Sequence, residues 1–287
     1  MSFGKALEID FYSNYTALTP TKTHRGKKGE LFLIDCLKQA MDNTAKKHNV
    51  KTKVIHGNKS MTDFQLTCGC PAKNELGDML FVVYDVKKRI GRVLVMQNKY
   101  EVDYPLPSQK FFSNPRQTCL MNGQGHILNC QLPYLISHIS DKTMPPLCCY
   151  GIFYKHNNNQ LYYSPVDEVQ YSPALPGCIK TVTVRKTEHR NKPALNKIRS
   201  FGAFNDRYSL DSVEKFGNAL LALELGKPIQ YKLYKDIIST VKRTNVPKSF
   251  LDIFGRDIPN NLDEVEDIAI QSVIFLDVTG FTNENND

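Results

Sequence analysis

Long apolar runs are missing from this sequence of 287 residues. No stretch approaches the roughly 18 consecutive apolar residues that a membrane-spanning helix requires. The segment from Met1 to Glu8 also lacks the apolar core of a secretory signal peptide. We therefore expect no membrane association and a cytoplasmic location.

The sequence motifs of several large enzyme classes are absent as well. The chain contains no P-loop, no GxGxxG fingerprint, no GxSxG nucleophile elbow and no internal repeat. Those motifs position nucleotide phosphates or an activated serine. The chain thus has no nucleotide-binding motif of its own, so any use of ATP would need a partner.

The eight cysteines do not form a complete zinc-binding pattern. Cys68 and Cys70 are spaced like a ligand pair, but the other close pair, Cys148 and Cys149, is adjacent and poorly spaced for chelation. A structural zinc site needs four ligands, usually in two spaced pairs. In an intracellular chain such thiols are normally free and pack as small hydrophobic groups. We expect free thiols here.

The formal net charge of +8 favours an anionic partner, and nucleic acid is the first candidate. Many basic proteins bind no nucleic acid, so the charge alone leaves this question open. The composition, 41% hydrophobic and 23% charged, is that of an ordinary globular protein.

Two short runs rich in Val, Leu and Phe flank a basic connection, a pattern that predicts a β-hairpin. Asp78 stands at the start of the first run, and Gln97 and Lys99 stand at the end of the second. Because side chains alternate across a strand, Gln97 and Lys99 share one face while Asn98 points to the other. Antiparallel pairing therefore predicts that Asp78 lies close to Gln97 and Lys99.

An acid at the start of one strand and a Gln-x-Lys pair on the next resemble the core of the PD-(D/E)xK nuclease superfamily, to which restriction endonucleases belong. An acid usually stands where this chain has Gln97, so the resemblance is to the Gln-x-Lys variant. The family also has a Glu on an upstream helix. Glu30 matches it, because an apolar stripe at helical spacing follows Glu30 and places its carboxylate on the inward face of a predicted helix.

The resemblance implies a site for Mg²⁺ or Mn²⁺. Asp78 would bind the ion through carboxylate oxygen, which Mg²⁺ prefers, and the Gln97 amide and Asn98 carbonyl oxygens would lie beside it. Lys99 would polarise the attacking water, and Glu30 would act through the metal shell or a bound water. An amide in place of a carboxylate removes one negative charge. Two interpretations follow: an active Gln-x-Lys nuclease, or a degenerate core that only binds.

Clustered basic residues are the candidate contacts to nucleic acid, because phosphate contacts require Lys and Arg. One group precedes the Glu30 helix, one begins a helix predicted after an Asn-Pro cap, and one lies in the basic stretch 182–207. Simple exposure to solvent is the alternative for each group. The predicted contacts are Lys27, Lys28, Arg116, Gln117, Arg185, Lys186 and Arg190.

The order of helix, strand, hairpin and helix predicts an α/β fold with a mixed central sheet flanked by helices. The resemblance makes this a restriction-endonuclease-like core with a helical C-terminal extension. We expect a nuclease core with an N-terminal arm over residues 1–205 and a mostly helical cap or docking region over 206–287. Within that region the sequence predicts a helix over 212–225 with Asp211 as N-cap, and a strand over 271–278.

Together these features predict a metal-dependent endonuclease that acts most naturally on DNA. The chain is also similar to stand-alone nuclease effectors of bacterial anti-phage systems, which often work beside a partner ATPase or sensor subunit. Homo-oligomerisation would suit such an effector. The alternatives are a noncatalytic nucleic-acid-binding or assembly subunit, and an unrelated protein whose hairpin only carries surface Asp and Lys.

Overall fold

A mixed β-sheet lies between two layers of helices in the computed structural model. The structure describes residues 1–22, 26–56, 62–65, 71–101, 112–113, 115–121, 123, 126–129, 139, 146–156, 158–166, 184–185, 210–241, 243–255 and 270–281. The helices in these ranges are α1 (Phe3–Ala17), α2 (Glu30–Lys47), α3 (Pro115–Met121), α4 (Val213–Leu221), α5 (Tyr231–Val241) and α6 (Lys248–Phe254), with a 3₁₀ turn at Arg243–Asn245. The strands are β1 (Lys51–His56), β2 (Thr62–Gln65), β3 (Pro71–Asn74), β4 (Gly77–Asp85), β5 (Ile90–Glu101), β6 (Phe112–Ser113), β7 (His126–Asn129), β8 (Cys148–His156), β9 (Asn158–Pro165), β10 (Val184–Arg185), β11 (Lys227–Pro228) and β12 (Ile270–Asp277).

The main sheet has the strand order β1-β12-β4-β5-β8-β9, and β11 pairs with β5 off this path. The pairs β12–β4 and β5–β8 are parallel, whereas β1–β12, β4–β5 and β8–β9 are antiparallel. A three-stranded sheet, β3-β2-β7, and the short pair β6–β10 complete the described strands. The structure thus confirms the predicted mixed sheet flanked by helices, including the hairpin formed by β4 and β5.

The two faces of the sheet bury alternate side chains of the same strands. In β4, Leu80 and Val82 pack toward α3, α5 and α6, whereas Phe81 and Val83 pack toward α1, α2 and α4. All nine residues of β4 are buried. A strand covered on both faces is expected to be a nearly continuous apolar run, so a polar residue within it needs partners of its own.

The N-terminal helix α1 was not predicted from the sequence. Ser2 is its N-cap, and the Ser2 side chain accepts a hydrogen bond from the main-chain N–H of Lys5 at 3.2 Å. The helix packs on α4 at a close approach of two glycines. A Cβ built on Gly217 would lie 3.1 Å from the Cα of Gly4.

The described residues after 210 form helices and also two strands of the main sheet, β11 and β12. The strand predicted over 271–278 is confirmed as β12, and it lies between β1 and β4. The predicted N-cap of α4 is wrong: Ser212 caps the helix by accepting from the Lys215 N–H, and the Asp211 carboxylate pairs with Lys215 Nζ at 2.8 Å. The domain boundary at residue 205 stays a prediction.

Cys36, Cys148 and Cys149 are buried and form no disulfide bond, as expected for thiols that serve as small hydrophobic groups. Burial, with a smaller effect of the neighbouring Asp35, raises the pKa of the Cys36 thiol to about 12. Cys68 and Cys70 lie outside the described residues. Within the described part of the chain, every helix is too short or too polar to cross a bilayer.

Replacing Gly4 by alanine tests the close packing of α1 on α4. A Cβ at this position would lie 2.0 Å from the Glu214 carbonyl oxygen, so the helices must separate. We expect Gly4→Ala to lower the free energy of unfolding by about 1–3 kcal/mol, measured by urea denaturation. The control Ser13→Ala, on the exposed face of α1, should change it by less than about 0.5 kcal/mol. Equal stability of Gly4→Ala and the wild type would contradict this packing.

Candidate active site

Polar side chains from neighbouring strands meet at one end of the main sheet. Asp78 is the second residue of β4, and the strand register places it beside Gln97 of β5 and Gln271 of β12. Side chains at paired positions of neighbouring strands point to the same face of a sheet. The hairpin and β12 therefore bring one carboxyl group and two amides together.

The Asp78 carboxyl group is buried, with only 2% of the residue's surface exposed, and accepts hydrogen bonds at both oxygens. Its Oδ2 accepts from Gln97 Nε2 at 2.7 Å and from the main-chain N–H of Asn98 at 2.6 Å. Its Oδ1 accepts from Gln271 Nε2 at 2.9 Å, and the same nitrogen donates to Glu75 Oε2 at 2.9 Å. The predicted proximity of Asp78 and Gln97 is confirmed. It is the nitrogen of the Gln97 amide, not its oxygen, that faces the carboxyl group.

Burial raises the pKa of Asp78 to about 7, because leaving water disfavours the charged form. The Lys99 ammonium and the Asn98 N–H lower this pKa, whereas the carboxylates of Glu30 and Glu75 raise it further. Both protonation states of Asp78 are therefore populated near neutral pH, and a nearby cation would favour the ionised one.

Lys99 and Glu30 form an ion pair next to Asp78. The distance from Lys99 Nζ to Glu30 Oε2 is 3.9 Å, and their side chains are 16% and 33% exposed. Glu30 is the first residue of α2, ahead of the buried stripe that includes Leu33 and Leu37. The structure thus brings Glu30, Asp78 and Lys99 together. It places Glu30 at the partly exposed start of the helix instead of on its fully buried face.

The structure places Gln117 inside the molecule, although the sequence predicted a contact to nucleic acid. Gln117 is 5% exposed, and its Nε2 donates a hydrogen bond to Gln97 Oε1. The same nitrogen lies 3.5 Å from the main-chain oxygen of Glu75. Helix α3 therefore joins the group formed by Glu75, Asp78, Gln97, Gln117 and Gln271, which we call the polar cluster.

Asn98 contributes its main chain to the site and its side chain to the other face of the sheet. Its carbonyl oxygen accepts from Gln97 Nε2 at 3.2 Å. Its fully buried side-chain amide makes no hydrogen bond to any other described residue, and its Oδ1 lies 2.8 Å from where a Cβ on Gly151 would be. Glycine at position 151 therefore leaves the space that Asn98 occupies.

The other predicted nucleic-acid contacts are more dispersed. Lys27 is exposed. Lys28 donates to the Tyr15 carbonyl at 2.6 Å and lies 4.7 Å from the Tyr15 ring centre, so it holds the start of α2 against the end of α1. The main chain of Arg116 lies in α3 and that of Arg185 in β10. Lys186 and Arg190 fall outside the described residues.

Two members of the polar cluster, Glu75 and Gln271, were missed from the sequence. Gln271 is a polar residue near the start of a largely apolar strand, as Asp78 is in β4, and this likeness was a usable signal. The register between β12 and β4 joins segments almost 200 residues apart, and no local pattern encodes it. Glu75 follows β3 directly, and its closeness to Asp78 in the sequence was the one signal that could have assigned it to the site.

The polar cluster contains carboxylate oxygens, the ligand type that Mg²⁺ and Mn²⁺ prefer, but only two carboxyl groups supply them. Mg²⁺ is usually bound through one or two carboxylates and keeps several waters, and Glu75 and Asp78 offer two carboxylates that share one amide nitrogen as donor. Among the described residues there is no group of three His, Cys, Asp or Glu side chains able to hold a metal. An ion here would therefore be held by few protein ligands.

Comparison of the chain with protein-family models, curated proteins and solved structures gave no match. Any functional conclusion therefore depends on the chemistry of the site itself.

The pH dependence of stability tests the burial of Asp78. A carboxyl group whose pKa is raised on folding stabilises the native state below its unfolded pKa, and that contribution is lost as the pH rises from about 4 to about 7. Asp78→Asn removes the titrating group but turns an NH2 group toward a buried N–H donor, so the informative quantity is the change of the stability difference with pH. We expect the stability of Asp78→Asn relative to the wild type, measured with EDTA present, to be higher at pH 8 than at pH 4 by at least about 1.4 kcal/mol, the equivalent of one pKa unit. An equal difference at both pH values would contradict the assignment.

Proposed function

We propose that this protein is a metal-dependent nuclease that hydrolyses phosphodiester bonds, with the site at Asp78, Gln97, Lys99 and Glu30. One observation carries the proposal. The hairpin β4–β5 holds the buried Asp78 against the Gln-x-Lys segment, with the Lys99–Glu30 pair beside it. An acid and a Gln-x-Lys pair on adjacent antiparallel strands, with a Glu on the preceding helix, resemble the Gln-x-Lys variant of the PD-(D/E)xK pattern, and this resemblance supports the proposal.

The residues of the site have distinct tasks in this chemistry. Asp78, with Glu75 beside it, would hold Mg²⁺ or Mn²⁺. When bound, such an ion supplies a Lewis acid and lowers the pKa of a bound water. Lys99 is placed to orient that water and to stabilise the negative charge that develops on the phosphoryl oxygens. Glu30, 3.9 Å from the Lys99 ammonium, holds it in position through the ion pair.

DNA is the proposed substrate class, supported by the net charge of +8 and by exposed basic residues such as Lys27. Phosphate contacts supply most of the sequence-independent affinity for nucleic acid, and they weaken steeply with salt. A partner ATPase or sensor subunit of an anti-phage complex, and homo-oligomerisation, extend the proposal by resemblance. The lack of a nucleotide-binding motif agrees with the need for such a partner.

A noncatalytic nucleic-acid-binding or assembly subunit is the second candidate, and one observation favours it. Both oxygens of Asp78 already accept hydrogen bonds from amide nitrogens, and the Gln97 amide turns its nitrogen toward the carboxyl group. A cation would meet a repulsive N–H dipole where PD-(D/E)xK nucleases usually present a carboxylate. This arrangement suits a nuclease-like core that has lost its metal.

Incubating plasmid DNA with the full-length protein and Mg²⁺ or Mn²⁺ tests the proposal. We expect cleavage that EDTA abolishes and that Asp78→Ala and Lys99→Ala reduce at least about 100-fold, the scale of losing a positioned catalytic group. Lys88→Ala is the matched control. Lys88 lies at the opposite, exposed end of the same hairpin, and its removal should leave cleavage unchanged.

Circular dichroism of each variant separates loss of activity from loss of fold. No cleavage together with salt-sensitive DNA binding that survives Lys99→Ala would favour the noncatalytic subunit. In that case Gln97→Glu, which restores the missing carboxylate, would show whether the substitution at position 97 alone silences the site. If the protein neither cleaves nor binds DNA, both proposals are overturned.

A further inference from the structure

Hydrogen bonds fix the orientation of the Gln97 side-chain amide. At one end, the main-chain oxygen of Glu75 can only accept, so the Gln117 atom near it at 3.5 Å is the nitrogen. That nitrogen also donates to Gln97, so the Gln97 atom facing α3 is Oε1. At the other end, Asp78 Oδ2 and the Asn98 carbonyl both accept from Gln97 Nε2, at 2.7 and 3.2 Å. This series of hydrogen bonds ends at an acceptor on each side, so the Gln97 amide has only one orientation in which every N–H group donates to an acceptor.

This orientation opposes the binding of a cation at Asp78. The N–H groups of Gln97 carry partial positive charge and point at the carboxyl oxygen that a metal would use. A flip of the Gln97 amide, which exchanges its oxygen and nitrogen, would offer Oε1 to the metal. In that state the Gln97 N–H groups would face the Gln117 N–H groups, donor against donor, in a buried place. A buried donor without an acceptor is unfavourable, so Gln117 resists the turn.

We propose that Gln117 is a positioning residue that holds the Gln97 amide with its nitrogen toward Asp78, and so couples metal binding to the position of α3. The inference depends on the proposed metal-dependent function and adds a control element to the same site. Removing the Gln117 donor, or moving α3 away, lowers the free-energy cost of turning the Gln97 oxygen toward the metal, and the hydrogen bond to the Asn98 carbonyl remains as the other restraint. Gln117 therefore opposes metal binding at Asp78 in the structure described, although it lies next to the residues of the proposed site.

Metal affinity tests this inference independently of cleavage. Mn²⁺ alone is titrated into the full-length wild type, Gln117→Met and Asp78→Ala, and binding is followed by calorimetry and by electron paramagnetic resonance of free Mn²⁺. Methionine keeps the length of the side chain and removes the N–H donors. We expect Gln117→Met to bind Mn²⁺ roughly tenfold more tightly than the wild type, within the usual range for groups around metal ligands. Asp78→Ala should bind least.

A second variant and a matched control guard against effects of packing. Gln117→Glu retains the size of the side chain and, when ionised, can only accept hydrogen bonds, so it should also strengthen Mn²⁺ binding. Leu120→Val removes a methylene from the buried face of α3 without touching the polar cluster, and it should leave Mn²⁺ affinity unchanged. In ¹⁵N spectra without metal, the Gln97 side-chain amide signal should shift in Gln117→Met and stay in Leu120→Val.

The outcomes separate this inference from the proposed function. Mn²⁺ binding that requires Asp78 but is equal or weaker in Gln117→Met would overturn the role of Gln117 and leave the metal site standing. Mn²⁺ binding that survives Asp78→Ala unchanged, or no binding in any variant, would overturn the metal site and this inference with it. A rise of the same size in Leu120→Val would show that loosening α3, and not the lost donor, is the cause, and would also overturn it.

Discussion

A carboxyl group buried between two strands determines how this end of the molecule is built. Without partners, Asp78 would bear the full penalty of leaving water, and that penalty raises its pKa to about 7 even with its present partners. The hairpin supplies the Gln97 amide and the Asn98 N–H, and β12 supplies Gln271. These partners lie on β5 and β12, on either side of Asp78. The hydrogen bonds to Asp78 therefore set the register of β4 with both neighbouring strands.

The same requirement explains why polar residues gather around Asp78 at this end of β4. In the middle of the strand, both faces are filled by apolar side chains that pack on the two helical layers. At the near end, the apolar layers give way to the Lys99–Glu30 pair and to Gln117. The site is thus a short interruption of an apolar core, positioned by rigid neighbours.

Sequence patterns gave the elements around the site better than the contacts within it. The hairpin, the helix beginning at Glu30 and the alternation that separates Gln97 from Asn98 follow from local spacing, and the structure agrees with each. Gln117 was placed at the surface because an Asn-Pro cap predicts a helix start but not the face that is buried. The contribution of Gln271 depends on a parallel pairing between distant segments. Side-chain amide directions follow only from the complete hydrogen-bond chain.

The central position of β12 has a consequence for how the protein is made. Residues 270–277 are inserted between β1 and β4, and one of them donates to Asp78. During synthesis the hairpin emerges almost 200 residues before this strand does, so a ribosome-bound chain lacks the middle of its sheet. Long-range pairing of this kind forms late and slowly. The Gln271 contact to Asp78 therefore forms only after β12 has left the ribosome, so the carboxyl group of a nascent chain lacks one of its hydrogen-bond donors until synthesis of the sheet is complete.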